Sequence, residues 1–181
     1  MPKASRYYTD FDVPASLYRK NLQKILLFYL FNCPVEGKSH RGITFMEYGF
    51  SGSPAFSRLK SAMLKNASNS LKANYSPCKK EDLDYAFKSI ESVSPPDEYC
   101  VFLYNDEKTK MESLFSAIRN ALAHGSFNCK SYNGTMIYFF LNYDGYKKAQ
   151  IVLHETTLLN WVSVIENGYG KLIGHNISGG A

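Results

Sequence analysis

The sequence predicts a mainly helical fold, a bundle of four or five helices with one β-hairpin inserted before the last helix. Apolar residues recur at three- and four-residue steps through most of the 181-residue chain, which is the spacing of amphipathic helices. Near the C-terminus the pattern changes to runs rich in β-branched and aromatic residues around Asp144-Gly145, a strong hairpin signal. The length fits one domain, predicted over residues 1–168 and followed by a flexible glycine-rich tail over 169–181.

The first predicted helix follows a mobile N-terminal arm. Asp12 and Pro14 suit its first turn, and Pro34 ends it because proline disfavours helical geometry in the preceding residue. A glycine-dotted connector comes next, with a short strand predicted over residues 42–48.

Two further helices are predicted before the centre of the chain. The second begins at Ser53 and keeps an apolar face as far as Leu71, and Pro77 breaks it. The third begins near Lys80, where early acidic residues suit the positive end of the helix dipole, and it stops at the two prolines of residues 94–97.

The second half contains one ambiguous segment and a clear hairpin. Residues 99–104 are apolar but too few to decide between a strand and a helical turn. The hairpin strands are predicted over 135–142 and 147–153, and the last helix is predicted from Thr156 or Thr157 to Gly168.

The helix between these segments, predicted over residues 110–123, has the clearest boundaries. Thr109 and Glu112 have the spacing of a capping box, in which each side chain bonds a free backbone N–H of the first turn. Gly125 suits the left-handed position just beyond a helix. One face is apolar and must pack on a core, and it consists of Met111, Leu114, Phe115, Ile118 and Leu122.

The end of this helix carries the candidate catalytic residues. Arg119 lies beside the apolar face, whereas Asn120 and His124 lie on the far side as an i,i+4 pair. A guanidinium can bind phosphate oxygens while staying charged, and an imidazole can exchange protons near neutral pH. Arg119 and His124 point about 140° apart on a regular helix, so either a fraying last turn or a second copy of the chain across a two-fold axis is expected to complete the site.

The segment Arg119-Asn120-Ala121-Leu122-Ala123-His124 resembles the Arg-x4-6-His motif of the HEPN superfamily. This resemblance implies a compact helical bundle and a homodimer. It also implies a metal-independent endoribonuclease of toxin or phage-defence type, which cleaves single-stranded RNA and which an antitoxin or other regulatory protein controls. A catalytically inactive HEPN-like binding or assembly module is the alternative.

Each motif residue also has an ordinary structural interpretation. His124 can bond the last free carbonyls of its helix, and Asn120 can be an exposed helix residue. Arg119 can form a surface ion pair, for which Glu112 and Asp106 are the candidates.

A basic segment is the second candidate contact with RNA. The chain carries a net charge of +5, and residues 48–80 contain no acidic residue. Arg58, Lys60 and Lys65 are therefore predicted to bind the phosphate backbone, although such stretches are also found as solvated faces.

No cofactor or metal is predicted, because the histidines, cysteines and acidic residues show no metal-ligand spacing. The four cysteines form no C-x-x-C pair and are expected to be free thiols. The longest apolar run is too short to cross a bilayer, and no secretory signal is recognised, so a cytoplasmic protein without membrane contact is expected.

Overall fold

The structure, a computed structural model, describes residues 19–35, 37 and 41–174. These residues form six α-helices and a five-stranded mixed sheet. The helices are α1 (Lys20–Leu27), which a π-helical turn (Phe28–Asn32) continues, α2 (Gly52–Lys65), α3 (Asn69–Ala73), α4 (Leu83–Ser89), α5 (Lys110–Ala123) and α6 (Glu155–Gly174). The strands are β1 (Tyr75–Cys78), β2 (Tyr99–Leu103), β3 (Phe127–Tyr132), β4 (Thr135–Asp144) and β5 (Tyr146–His154).

The prediction of a mainly helical, HEPN-like bundle with one hairpin is therefore wrong. The strand order is β1-β2-β5-β4-β3, in which β1 and β2 are parallel and all other neighbours are antiparallel. The predicted hairpin is present as β4 and β5, but it forms the middle of a larger sheet. The chain has an α/β fold.

Three strands account for the error. A turn at Asn133-Gly134 joins β3 to β4, and both residues have positive φ, 49° and 82°, as a two-residue hairpin turn of type I′ requires. The apolar segment 99–104 is resolved as strand β2. Strand β1 contains Pro77, which an edge strand tolerates because only one side of it needs to donate hydrogen bonds.

The strand predicted over residues 42–48 is absent, since residues 42–44 have no regular structure and residues 45–49 form turns. The second predicted helix is divided, because α2 ends at Lys65 and a new cap starts α3. There the Ser68 hydroxyl accepts a hydrogen bond from the Leu71 N–H at 3.1 Å. Local capping thus interrupts a continuous apolar pattern.

The last helix is longer than predicted. Helix α6 is interrupted at Gly168, whose φ is 72°, and it then continues to Gly174, within the segment predicted to be a flexible tail. The Tyr169 N–H donates to the Tyr48 carbonyl at 2.9 Å, which attaches this end to the connector. The predicted N-terminal arm, the first-helix start at Asp12 and residues 175–181 lie outside the described residues.

The two faces of the sheet pack against different helices. One face joins α1, α2, α5 and α6 in the main core, to which the sheet contributes Cys100, Phe102, Tyr138, Phe140, Ala149, Ile151 and Leu153. The alternate residues point to the opposite face, called here the outer face, where α4 covers Tyr99, Val101, Ile137 and Val152. Trp161 of α6 is fully buried in the main core, and its indole N–H donates to the Met63 carbonyl at 3.1 Å. Helix α5 therefore packs on the face that belongs to the main core, called here the inner face, and α4 packs on the outer face.

Candidate functional site

Helix α5 carries the predicted catalytic residues and has the predicted boundaries. The Glu112 N–H donates to the Thr109 hydroxyl at 3.1 Å, and the Glu112 carboxylate accepts from the Thr109 N–H at 2.7 Å. The capping box is thus confirmed. The apolar face packs in the main core as predicted, which fixes the rotation of the helix and the direction in which each polar side chain points.

Backbone groups complete the C-terminus of α5. The Ser126 N–H donates to the Ala121 carbonyl at 2.8 Å, and the Gly125 N–H donates to the Leu122 carbonyl at 3.3 Å. Gly125 has φ 66°, so this is a Schellman motif with glycine in the left-handed position. Because the backbone caps the helix, the His124 side chain is not needed for that purpose.

The Arg119 guanidinium is half buried and is held beside Asn120. Its Nη1 donates to the Asn120 side-chain oxygen at 3.4 Å, a long hydrogen bond. Its Nε is inaccessible to solvent and has no hydrogen-bond partner among the described residues. The positive charge also lies near Cys33: burial raises the pKa of that thiol, and Arg119 partly opposes the increase.

The described part of the chain contains no carboxylate that pairs with Arg119. The two expected candidates are engaged elsewhere, since Glu112 closes the capping box and Asp106 pairs with Lys79. A partly desolvated cation without a counter-ion is costly for stability, so this arrangement is characteristic of a binding site for an anion.

The His124 imidazole is exposed at the end of α5. Within the described residues it has no hydrogen-bond or ion-pair partner, so its ring is free to meet a substrate. His124 and Arg119 do not contact each other, and the intervening helix is regular as far as Ala123. The structure therefore brings Arg119 and Asn120 together, whereas His124 is on the same side of the helix as Asn120 and roughly 140° from Arg119.

The three predicted phosphate-binding residues on α2 are all exposed, but they do not share one face. Arg58 and Lys65 are seven residues apart and lie on the same side of the helix, whereas Lys60 lies roughly 200° from Arg58. The Arg58 guanidinium is 6.0 Å from the centroid of the Tyr169 ring, and the Lys60 ammonium is 5.1 Å from that of Tyr75. Arg58 and Lys65 can thus act together.

A further group of polar and aromatic residues was missed by the sequence analysis. It lines a cleft of about 400 Å³ on the outer face of the sheet, called here the outer cleft, and includes Asn128, Lys130, Tyr132, Phe139, Lys147 and Gln150. The signal that could have found it is Asn133-Gly134, because recognising β3 places residues 128, 130 and 132 on one face.

The residues that the structure describes include no group of three or more His, Cys, Asp or Glu side chains arranged for a metal ion. No described helix combines the length and apolar character needed to span a bilayer. In comparisons with known proteins, the chain matches no protein-family model, no curated protein and no solved structure.

Proposed function

We propose that this protein is a metal-independent endoribonuclease that cleaves single-stranded RNA, with Arg119 and His124 as its catalytic residues. The observation that carries the proposal is the state of Arg119, a half-buried cation with an unpaired Nε and no carboxylate partner among the described residues. A phosphate group would supply both the missing negative charge and the missing hydrogen-bond acceptor. The long contact with Asn120 positions the guanidinium and leaves its other donors for the phosphate.

The chemistry that fits these groups is transfer of the phosphate within the RNA. The 2′-oxygen attacks the adjacent phosphorus, the bond from phosphorus to the 5′-oxygen breaks, and the products carry a 2′,3′-cyclic phosphate and a 5′-hydroxyl. His124 either removes the proton from the 2′-hydroxyl or donates one to the leaving 5′-oxygen, and water handles the other transfer. Arg119 stabilises the charge that develops on the phosphorane. Single strands are the expected substrates because an A-form helix keeps the 2′-oxygen out of line with the leaving oxygen.

The separation of Arg119 and His124 on α5 supports a site shared by two protomers. In this arrangement Arg119 of one chain and His124 of the partner subunit act on the same phosphate across a two-fold axis. The resemblance to the HEPN superfamily contributes the motif and the dimer to this proposal, and the five-stranded sheet is not part of that resemblance. A toxin or defence role, with an antitoxin or regulatory protein, rests on the resemblance alone.

The direct test is cleavage of labelled RNA in EDTA by the wild-type protein and by variants with unchanged circular dichroism. His124→Ala should lower the rate roughly 10²- to 10⁴-fold, and Arg119→Ala roughly 10²- to 10³-fold. Asn120→Ala should have a smaller effect, and the exposed Tyr85→Ala serves as a control. A substrate with one 2′-deoxy nucleotide at the cut site should resist cleavage, because it lacks the nucleophile.

Mixing the two inactive variants tests whether the site is shared. A heterodimer of Arg119→Ala and His124→Ala retains one intact shared site, so random mixing should restore about one quarter of the wild-type sites. Sites formed within one chain would give no recovery. If the 2′-deoxy substrate is cut at the normal rate, or if His124→Ala is fully active, the endoribonuclease proposal fails. A binding or assembly module would then be the remaining interpretation of α5.

A further inference from the structure

We propose that the outer cleft binds a nucleotide, with the base against Tyr132 and Phe139 and the phosphate on Lys130. The cleft lies on the outer face of the sheet, whereas α5 with Arg119 packs on the inner face. It is therefore a second site, and the proposal goes beyond RNA cleavage and does not depend on it.

Size and shape favour one small ligand. The cleft has a volume of about 400 Å³, within the usual range of small-molecule sites. Strands β3, β4 and β5 form its floor, since Asn128 is directly opposite Phe139, which is opposite Val152. Helix α4 and its Phe87 lie on the same face, against Tyr99 and Val152 of the neighbouring strands.

Two aromatic side chains provide a surface for a planar base. The ring centroids of Tyr132 and Phe139 are 6.3 Å apart, and the ring planes are inclined by 53°. Both residues are only half buried, so a face of each ring can remain available to a ligand. Aromatic side chains on a sheet are a common platform for stacking unpaired bases.

The charges in the cleft favour an anion. Lys130 is exposed, with its ammonium 5.8 Å from the Tyr132 ring, and Lys147 is half buried, with its ammonium 4.1 Å from the Phe87 ring. Among the described residues that line the cleft there is no Asp or Glu. Lys130 is opposite Ile137 and Lys147 is opposite Tyr143, so the two ammonium groups lie far apart along the sheet. Lys130, beside the Tyr132 ring, is the one placed to bind a phosphate next to the aromatic rings.

Two amide side chains can recognise the edge of a base. The Gln150 amide accepts from Lys147 at 2.9 Å and donates to the Tyr99 hydroxyl at 2.7 Å, so it is held in one orientation. The Asn128 side-chain oxygen is shielded from solvent and has no hydrogen-bond partner in the described chain. A donor on the base would satisfy this oxygen after a small rotation of the amide. A nucleotide matches these features, whereas inorganic phosphate would use only Lys130.

The test is titration of the whole protein with adenosine and uridine 5′-monophosphates, with inorganic phosphate, and with a short 2′-O-methyl RNA that resists the proposed cleavage. Binding is followed by NMR of backbone amides and by calorimetry. We expect shifts at Asn128, Lys130 and Gln150, and a loss of affinity of roughly 5- to 100-fold in Tyr132→Ala. Lys130→Glu, a change at an exposed residue, should weaken binding without affecting the fold, whereas Lys20→Glu on α1 makes the same charge change away from the cleft.

Comparing the free monophosphates with the RNA shows which kind of nucleotide the cleft binds. Binding of the free monophosphates assigns the cleft to a soluble nucleotide, and binding of RNA alone assigns it to a strand; both results support the proposal. The Arg119→Ala protein should bind equally well, so failure of the cleavage proposal would not remove this one. The proposal is overturned if neither nucleotides nor RNA shift the cleft amides. It is also overturned if inorganic phosphate binds as tightly as the nucleotides, or if Tyr132→Ala and Lys130→Glu bind like the wild type.

Discussion

Replacing Arg119 with methionine should make the protein more stable and less active. Methionine keeps an unbranched stem of similar length, which can fill the same space beside the apolar face of α5. The substitution removes a half-buried charge that has no carboxylate partner among the described residues, together with its solvent-inaccessible, unpaired Nε. If Arg119 is retained for catalysis, its removal relieves a cost to folding.

The magnitude follows from the polar contacts of Arg119. Removing one buried, unsatisfied donor is worth roughly 1–3 kcal/mol, and losing the long hydrogen bond to Asn120 costs about 0.5–1 kcal/mol. The free energy of unfolding should therefore rise by roughly 0–2.5 kcal/mol, with a centre near 1 kcal/mol. In a chain of this size that corresponds to an increase in Tm of up to about 10 °C. RNA cleavage should fall by roughly 10²- to 10³-fold in the same variant.

The assay combines urea denaturation, calorimetry and RNA cleavage in EDTA. Arg58→Met is the matched control for the stability measurements, because Arg58 is an exposed arginine whose contact with the Tyr169 ring is worth at most about 0.5–1 kcal/mol. The control should be slightly destabilised or unchanged. A decrease of more than about 1 kcal/mol in Arg119→Met would show that the guanidinium makes stabilising contacts, and it would refute the reasoning.

Three other predictions concern assembly, RNA contact and alkaline pH. The protein should be a dimer by light scattering at micromolar concentration, and a monomer at that concentration would contradict a shared site. The double variant Arg58→Glu, Lys65→Glu should lower the slope of log affinity for RNA against log salt concentration by about 1.4. The single variant Lys60→Glu, on the other side of α2, should change this slope less. Equal slopes in the wild type and the double variant would assign Arg58 and Lys65 to a solvated face. The pKa of the Tyr138 hydroxyl is raised, first by burial and then by the nearby Glu155 carboxylate, with which the hydroxyl forms a hydrogen bond. The stability that the neutral hydroxyl contributes below the ordinary tyrosine pKa of about 10 should therefore decrease as the pH rises above that value. Tyr138→Phe should make that decrease shallower by up to about 1.4 kcal/mol per pH unit in urea titrations from pH 8 to 11, and an unchanged slope would contradict this assignment.

The sequence by itself determined the elements whose stabilising contacts are local. Helix α5 is the clearest case, because Thr109, Glu112 and Gly125 make their capping bonds within a few residues of the chain. The same holds for the hairpin turn at Gly145 and for the turn at Asn133-Gly134, whose sequence signal is equally local. In each of these elements a short range of residues contains both partners of the important hydrogen bonds.

Only the tertiary structure decided the fold class and the state of the candidate sites. Strand β1 contains Pro77 and is a strand because it pairs in parallel with β2, which follows it in the chain only after α4. Pairing of this kind depends on contacts between distant residues, which no local pattern encodes. That no carboxylate among the described residues pairs with Arg119 is equally a result of packing, since Glu112 and Asp106 are close in sequence but bond to other groups. The outer cleft exists because the sheet places side chains of β3, β4 and β5 on one face, beside a helix from the first half of the chain.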